Sequence, residues 1–329
     1  MKVLILHPSS RYDRYLPDIP AAGRMELVFT DREGPEERWL AAGGDAEALV
    51  AAPVTPVTEE LIARMPHLKL IHSDGVGYDR IDLAAARERG IYVCNNKGCN
   101  AGAVAEQTVL LILMLLRHAL EGDEAVRAGR QMEMKERCMV EGITELSACK
   151  VGLVGFGDIA RAAAERLVPF GCELYYYTKH RRLPEEEKKY HVTYLPLEEL
   201  AEKSDIVSLH CAVTEETRNL VDAALLRQMK PTAYLINTAR GDLVDNEALR
   251  QALLEGRIAG AGLDTLSPEP VPAGHPLTAL PPEVQRKVVL APHLGGITEA
   301  SFRRAHAHMW RNVEHLAAGE RPDNIVNGL

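Results

Sequence analysis

The sequence has no long apolar run. Its longest, Val109 to Leu116, is bracketed by Glu106, Gln107 and Arg117, far short of the ~20 residues that a membrane-spanning helix needs. The N-terminal run MKVLILHPSS is too short for a signal peptide and predicts a first strand, so a cytoplasmic protein with no membrane partner is expected. Positive charge is in deficit as well. The 38 Lys and Arg fall short of the 47 Asp and Glu, a formal net charge of -9, and nothing in that balance suggests a nucleic-acid surface. The six cysteines, Cys94, Cys99, Cys138, Cys149, Cys172 and Cys211, contain no CxxC pair and no spacing suited to zinc. They predict reduced packing residues and no metal site. Internal repeats, low-complexity tracts and Pro-rich linkers are also missing.

What is present is the balance of a globular chain, 46% hydrophobic and 26% charged, and its 329 residues exceed the usual size of one core, so two domains are expected. Short β-type runs alternate with amphipathic stretches, which predicts βα units and parallel sheets. The early runs are KVLILH, ALVAA, LKLIHS and IYVCNN. Between the last two, Asp82 can cap a helix that Gly90 ends. From Ala103, AVAEQTVLLILMLLR is apolar on most faces and predicts a buried helix. From Lys150 a second series follows: KVGLVGF, ELYYYT, DIVSLH, AYLINT, IAGAGLD and VVLAPH. Helices are predicted at Leu197 to Lys203, Asp222 to Met229 and Asn246 to Leu254, and VPAGHPLTALPPE (271–283) reads as a loop. A last helical stretch, Thr298 to Gly319, can return to the first domain.

The chemistry collects at strand ends. In VGLVGFGDIARAAAERL, Gly155, Gly157 and Ala160 form a G-x-G-x-x-A pattern after a strand and before a helix. The first glycine permits a tight turn, the second lets backbone approach a pyrophosphate, and the small third residue lets the helix pack closely. In open α/β sheets ligands bind beyond the carboxyl ends of strands. There stand Cys211 to Val213, Ala239 and Arg240, Asp264 with Glu269 beyond it, and His293 followed by Gly295 and Gly296. LKLIHS leads into the flexible turn Gly75, Val76, Gly77. His306 and His308, two apart on a helix, face different sides and are no metal pair.

SDGVGYDRID, NNKGCNAGAVAEQT, VGLVGFGDIA, LINTARGDLVDNEALRQALLEGRIAGAGLD followed by PEP, and APHLGG together resemble the D-isomer-specific 2-hydroxyacid dehydrogenase family over nearly the whole chain. The resemblance implies two doubly wound α/β domains. A Rossmann cofactor domain (101–298) is inserted in a flavodoxin-like substrate domain (1–100 and 299–329), and the assembly is a homodimer. It implies His293 as general acid/base, Glu269 as its orienting carboxylate, and Arg240 as the clamp on the substrate's carboxylate and carbonyl oxygen. Backbone N–H groups of Val76 and Gly77 would hold the substrate carboxylate. Thr108 would lie near the nicotinamide. Cofactor contacts are further implied for Gly155, Phe156, Gly157, Asp158, Ile159, Cys211, Ala212, Thr238, Ala239, Asp264 and Gly296. The implied activity is reduction of a 2-oxoacid such as glyoxylate or hydroxypyruvate. The alternatives are a phosphoglycerate-dehydrogenase-type enzyme and a nucleotide-sensing, corepressor-like binding protein.

Three departures from the family pattern stand out. Ala212 replaces a common proline, the segment around 136–150 lacks the usual tryptophan, and the ribose-binding aspartate after the second strand is replaced by Thr178. Lys179, His180, Arg181 and Arg182 follow. An aspartate there would repel a 2'-phosphate; Thr178 does not, and Lys179 and Arg181 can bind it, so NADP(H) is expected in preference to NAD(H); the alternative is that these cations pair with Glu185, Glu186 and Glu187 on a solvated surface.

Overall fold

The computed structural model describes residues 1–16, 19–20 and 22–329. The chain divides into two compact units, Met1–Asn100 with Thr298–Leu329 (unit 1) and Ala101–Ile297 (unit 2). Unit 2 is therefore a single continuous insertion in unit 1.

Unit 1 runs through β1 (Lys2–Ile5), β2 (Glu26–Phe29), α1 (Glu36–Gly43), β3 (Ala48–Ala51), α2 (Glu59–Ala63), β4 (Leu70–Ser73), α3 (Leu83–Glu88) and β5 (Tyr92–Cys94). Its sheet is parallel throughout, in the order β2-β1-β3-β4-β5. This is the flavodoxin-like order, with the topological switch point between β1 and β3. Strands β3 and β4 are buried along their whole length, which is why they read as unbroken apolar runs instead of alternating ones. The Asp82 carboxylate accepts from the Ala85 N–H and starts α3.

Unit 2 opens with three helices, α4 (Ala101–Leu116), α5 (Ala119–Arg127) and α6 (Gln131–Glu141). It continues through β6 (Lys150–Val154), α7 (Asp158–Leu167), β7 (Glu173–Tyr177), α8 (Pro184–Tyr190), β8 (Val192–Tyr194), α9 (Leu197–Lys203) and β9 (Ile206–Leu209). Then come α10 (Ala223–Gln228), β10 (Tyr234–Asn237), α11 (Asn246–Leu254), β11 (Gly260–Leu263), α12 (Pro282–Gln285) and β12 (Val288–Leu290). The sheet order is β12-β11-β10-β9-β6-β7-β8, all parallel. This is the Rossmann order with one strand added at an edge, and its switch point lies between β6 and β9. The chain then returns to unit 1 in α13 (Glu299–Ala317), started by a capping box between Thr298 and Ser301. Met309, Trp310 and Val313 of this helix share a core with Val3, Ile5, Val50 and Leu70.

Several elements differ from the sequence expectation, and the helices α5 and α6 were not among those it named. β2 and β8 were not expected; both are short edge strands, and neither is wholly buried, so neither carries the apolar run that marks an inner strand. The stretch 271–283 is not loop to its end, because Pro282 and Glu283 begin α12, with proline at the first helical position where its missing N–H costs nothing. The helix α4 is buried along Val104, Leu111 and Leu115, yet Leu110 is half exposed. Among the described residues no single helix is long and apolar enough to cross a membrane.

Candidate active site

In unit 2 the turn after β6 lies at the switch point. Gly155 has φ +94°, and a Cβ there would stand 2.7 Å from the Cys211 nitrogen and the His210 carbonyl carbon. Only glycine fits. A Cβ on Gly157 would meet nothing within 4 Å, so the space a pyrophosphate needs is open. Gly157 is also the N-cap of α7 and offers no side-chain cap, leaving the helix's first N–H groups for an anion. Ala160 is wholly buried, as close packing of the helix requires. The Phe156 ring is buried against Tyr176 and Tyr190, so only its backbone belongs to the turn. Asp158 lies 3.5 Å from Arg161 on the first turn of the helix, and Ile159 follows it there. These residues fit a dinucleotide.

Beyond β7 the cations are not equivalent. The Lys179 ammonium pairs with Glu216 at 2.9 Å, and Arg181 makes a two-pronged pair with Glu187 at 2.8 and 2.9 Å. Arg182 instead donates to the Phe156 carbonyl at 3.1 Å, and its backbone N–H donates to the Tyr176 hydroxyl. Its Nε is buried with no hydrogen-bond partner among the described residues. The Thr178 hydroxyl donates to the His180 carbonyl at 2.7 Å. Of Lys179, Arg181 and Arg182, the one without a carboxylate partner among the described residues is thus the one bonded to the glycine turn.

After β9, burial holds His210 down at about 4 and lifts the Cys211 thiol to about 11, so both are uncharged at neutral pH. The loop carrying Ala212 is tied by its threonines. The Thr217 hydroxyl donates to the Ala212 carbonyl at 2.7 Å and accepts from the Thr214 N–H at 2.7 Å. These bonds supply rigidity that a proline at 212 would otherwise give.

The end of β10 is shaped by Asn237, whose buried side chain accepts from the Ala239 N–H and donates to the Arg240 carbonyl at 2.8 Å. That clasp fixes the backbone from which Arg240 projects; the guanidinium itself donates to the Ala239 carbonyl at 2.8 Å. Thr238 contacts the Thr108 hydroxyl at 3.0 Å. Thr108 is fully buried and also donates to the Val104 carbonyl, so it stands behind Thr238 and presents no surface of its own.

At the end of β11 the buried Asp264 carboxylate accepts from the Leu294 N–H at 2.9 Å, the Gly295 N–H at 2.8 Å and the Gln107 amide at 3.3 Å. The Asp264 carbonyl accepts from the His293 N–H at 2.8 Å. Asp264 therefore builds the turn that carries His293 and Gly296. His293 sits at φ +57°, uncommon for a side chain larger than glycine, and its Nδ1 lies 3.0 Å from both oxygens of Glu269. Both side chains remain partly exposed, 41% and 31%. Asn237 and Gln107 are supporting positions that sequence reasoning missed. Their signal, a polar residue inside an otherwise apolar strand or helix, was visible.

In unit 1 the turn after β4 shows a complete accounting of its carbonyls. The Asp74 carbonyl accepts from the Asn96 side chain, Gly75 from the Asn96 N–H, Val76 from the Asn95 side chain and Gly77 from the Ser73 hydroxyl. Among the described residues nothing accepts from the N–H of Val76 or Gly77. A turn whose carbonyls are all occupied and which leaves the Val76 and Gly77 N–H groups unpaired among the described residues can take an anion.

Residues 109–295 match the family described as D-isomer specific 2-hydroxyacid dehydrogenase, NAD binding domain. The chain is 42% identical over 303 residues to a glyoxylate reductase of Thermofilum pendens, covering 92% of this chain and 88% of that one. Among solved structures it is similar to a D-lactate dehydrogenase of Aquifex aeolicus complexed with NAD and lactic acid, with TM-score 0.83, 28% identity and full coverage of both chains. It is also similar to an acyclic imino acid reductase in complex with NADPH and D-Arg, with TM-score 0.85, 27% identity and coverage of 99% and 100%. The chain belongs to the D-isomer-specific 2-hydroxyacid dehydrogenase family.

Proposed function

We propose that the protein is a nicotinamide-dependent D-2-hydroxyacid dehydrogenase working mainly as a 2-oxoacid reductase on glyoxylate, hydroxypyruvate or a similar small acid. The observation that carries this reading is the His293–Glu269 pair, with Nδ1 equidistant from both carboxylate oxygens, on a turn built by a buried aspartate. Glu269 holds the ring by Nδ1 and leaves Nε2 as the atom that gives its proton to the substrate's developing alkoxide. Arg240 supplies positive charge to the carboxylate and carbonyl oxygen, and that charge counts most as the oxygen becomes negative. The Val76 and Gly77 N–H groups take the substrate carboxylate, which makes unit 1 the substrate domain. The bound reduced nicotinamide supplies the hydride, and unit 2 is the domain that holds it.

The cofactor is read as NADP(H) in preference to NAD(H). Thr178 removes the repulsion an aspartate would exert, and Arg182, next to the glycine turn, pairs with no carboxylate among the described residues. Lys179 and Arg181 contribute less than the sequence suggests, because Glu216 and Glu187 already occupy them. A cytoplasmic homodimer is proposed as well, on the exposed apolar side chains of α5 and α6: Leu120, Val126, Met132, Met139 and Val140. Light scattering that gives a monomer would remove that part.

The activity is tested by a spectrophotometric screen of glyoxylate, hydroxypyruvate, pyruvate, phenylpyruvate and branched 2-oxoacids with NADPH and NADH. Turnover of at least one acid, faster with NADPH, is expected. No turnover of any acid would overturn the enzyme reading, and a preference for NADH would overturn the cofactor reading.

A further inference from the structure

Next to the Gly75–Gly77 turn, unit 1 buries a cluster that the reaction outlined above does not use. Asp74 is 7% exposed, and its Oδ2 lies 3.0 Å from His7 Nε2, 3.2 Å from Arg11 Nη2 and 3.5 Å from the Tyr12 hydroxyl. Its other oxygen is buried with no hydrogen-bond partner among the described residues. His7 is itself bridged, with Arg11 Nη1 lying 3.2 Å from Nδ1. The same Nη1 lies 3.3 Å from His7 Nε2, the nitrogen that faces the carboxylate. The Arg11 guanidinium also lies 5.6 Å from the centre of the Phe302 ring. Backbone bonds fix the same residue. The Asp74 N–H donates to the Ala51 carbonyl at the end of β3, and its carbonyl accepts from Asn96 after β5.

The protonation state follows from these contacts. Burial pushes the Asp74 carboxyl up, but the bond from His7 and the charge of Arg11 outweigh it, and the net direction is down. Asp74 is therefore an anion, two and three residues ahead of the Val76 and Gly77 N–H groups, which must themselves attract an anion. So near in the chain, a bare carboxylate would weaken that attraction.

We propose that Arg11, with His7, is a positioning and charge-compensating residue: it neutralises Asp74 so that the Val76 and Gly77 N–H groups can bind the substrate's carboxylate, and it fixes the start of their turn. The proposal rests on the reading of that turn as the carboxylate site. Neither side chain touches the reacting atoms, so the effect falls on ground-state and transition-state binding alike, which raises KM and leaves kcat in place.

The experiment compares Arg11→Gln, Arg11→Lys, Asp74→Asn and the double variant Arg11→Gln/Asp74→Asn with the same 2-oxoacid at saturating cofactor. Arg11→Gln should raise KM about tenfold with kcat within about twofold, and Arg11→Lys should stay near wild type. The double variant should return KM to within about twofold of wild type, a rescue that a merely structural Arg11 would not give. A KM unchanged in Arg11→Gln, or one as high in the double variant as in the single, overturns the proposal. Asn95→Ala, which frees the Val76 carbonyl, tests the underlying reading separately. If it raises KM while Arg11→Gln does not, only the compensation fails. If neither moves KM, the turn is not the carboxylate site and both readings fall. Thermal melts identify any variant that fails to fold, and for Arg11 the lysine variant then carries the test.

Discussion

The two units offer chemistry in different forms. Unit 2 presents side chains, Arg240, Glu269 and His293, each at or just beyond a strand end, with the backbone of Arg240 and His293 held by the buried Asn237 and Asp264. Unit 1 presents backbone, and its side chains, Ser73, Asn95, Asn96, Arg11 and Asp74, are occupied in holding that backbone or its charge in place. Side chains can be replaced one at a time with clean loss of a chemical step. Backbone donors cannot, and are reached only through their supports. The contrast predicts rate defects from unit 2 and affinity defects from unit 1.

The largest effect belongs to His293→Ala, which should lower kcat by ~100-fold to ~10,000-fold while the dissociation constant of NADPH, read by fluorescence titration, stays near wild type. A variant with wild-type turnover would break the contrast at its strongest point. Arg240→Ala should follow, with kcat down ~100-fold and KM up as well, since its charge serves both bound substrate and transition state. An unchanged KM would take away its role as a clamp. Arg182→Ala should reduce kcat/KM with NADPH by about tenfold to a hundredfold and leave NADH nearly untouched. Thr178→Asp should move the preference toward NADH. Equal losses with both cofactors would show that Arg182 only stiffens the turn.

Acid stability sharpens the comparison at smaller amplitude. Burial holds His72 and His306 of unit 1 at about 4, against one such residue, His210, in unit 2. The unfolded chain takes up these protons as pH falls below the ordinary 6.5, whereas the folded chain does not until about 4. Stability present at neutral pH is therefore lost between those values, by up to ~1.4 kcal/mol per pH unit for each residue. Hydrogen exchange at pH 7 and pH 5 should show unit 1 loosening more. The opposite order would remove the histidines as the cause.

What was legible in the sequence was whatever depends on neighbours along the chain. The glycine turn at 155–157, the Asp82 and Thr298 caps and the strand-end positions of Arg240 and His293 all follow from local pattern. Pairings across sequence were not legible. Lys179 read as a free cation, because Glu216 lies far along the chain on the loop after β9; for Arg181 a pairing with the run Glu185 to Glu187 was open in the sequence, but not that Glu187 is the partner. Arg11 and Asp74 likewise look like unrelated surface charges until β1 and β4 lie in one sheet. The edge strands β2 and β8 were lost because each is short and only partly buried.

The insertion of unit 2 also sets an order of assembly. One face of the β1–β5 sheet is covered by Met309, Trp310 and Val313 of α13, and on the ribosome that helix emerges only after Ala101 to Ile297 have been made. At ~5 to 20 residues per second the delay is roughly 10 to 40 s, during which Val3, Ile5, Val50 and Leu70 have no lid. Unit 2, contiguous in sequence, can complete its own core in that interval. A chain halted before Thr298 should accordingly show a protease-resistant unit 2 and a digested N-terminal hundred residues. In the cell, the early strands are the segment most in need of a chaperone, although they belong to a sheet that is well buried once the last helix arrives.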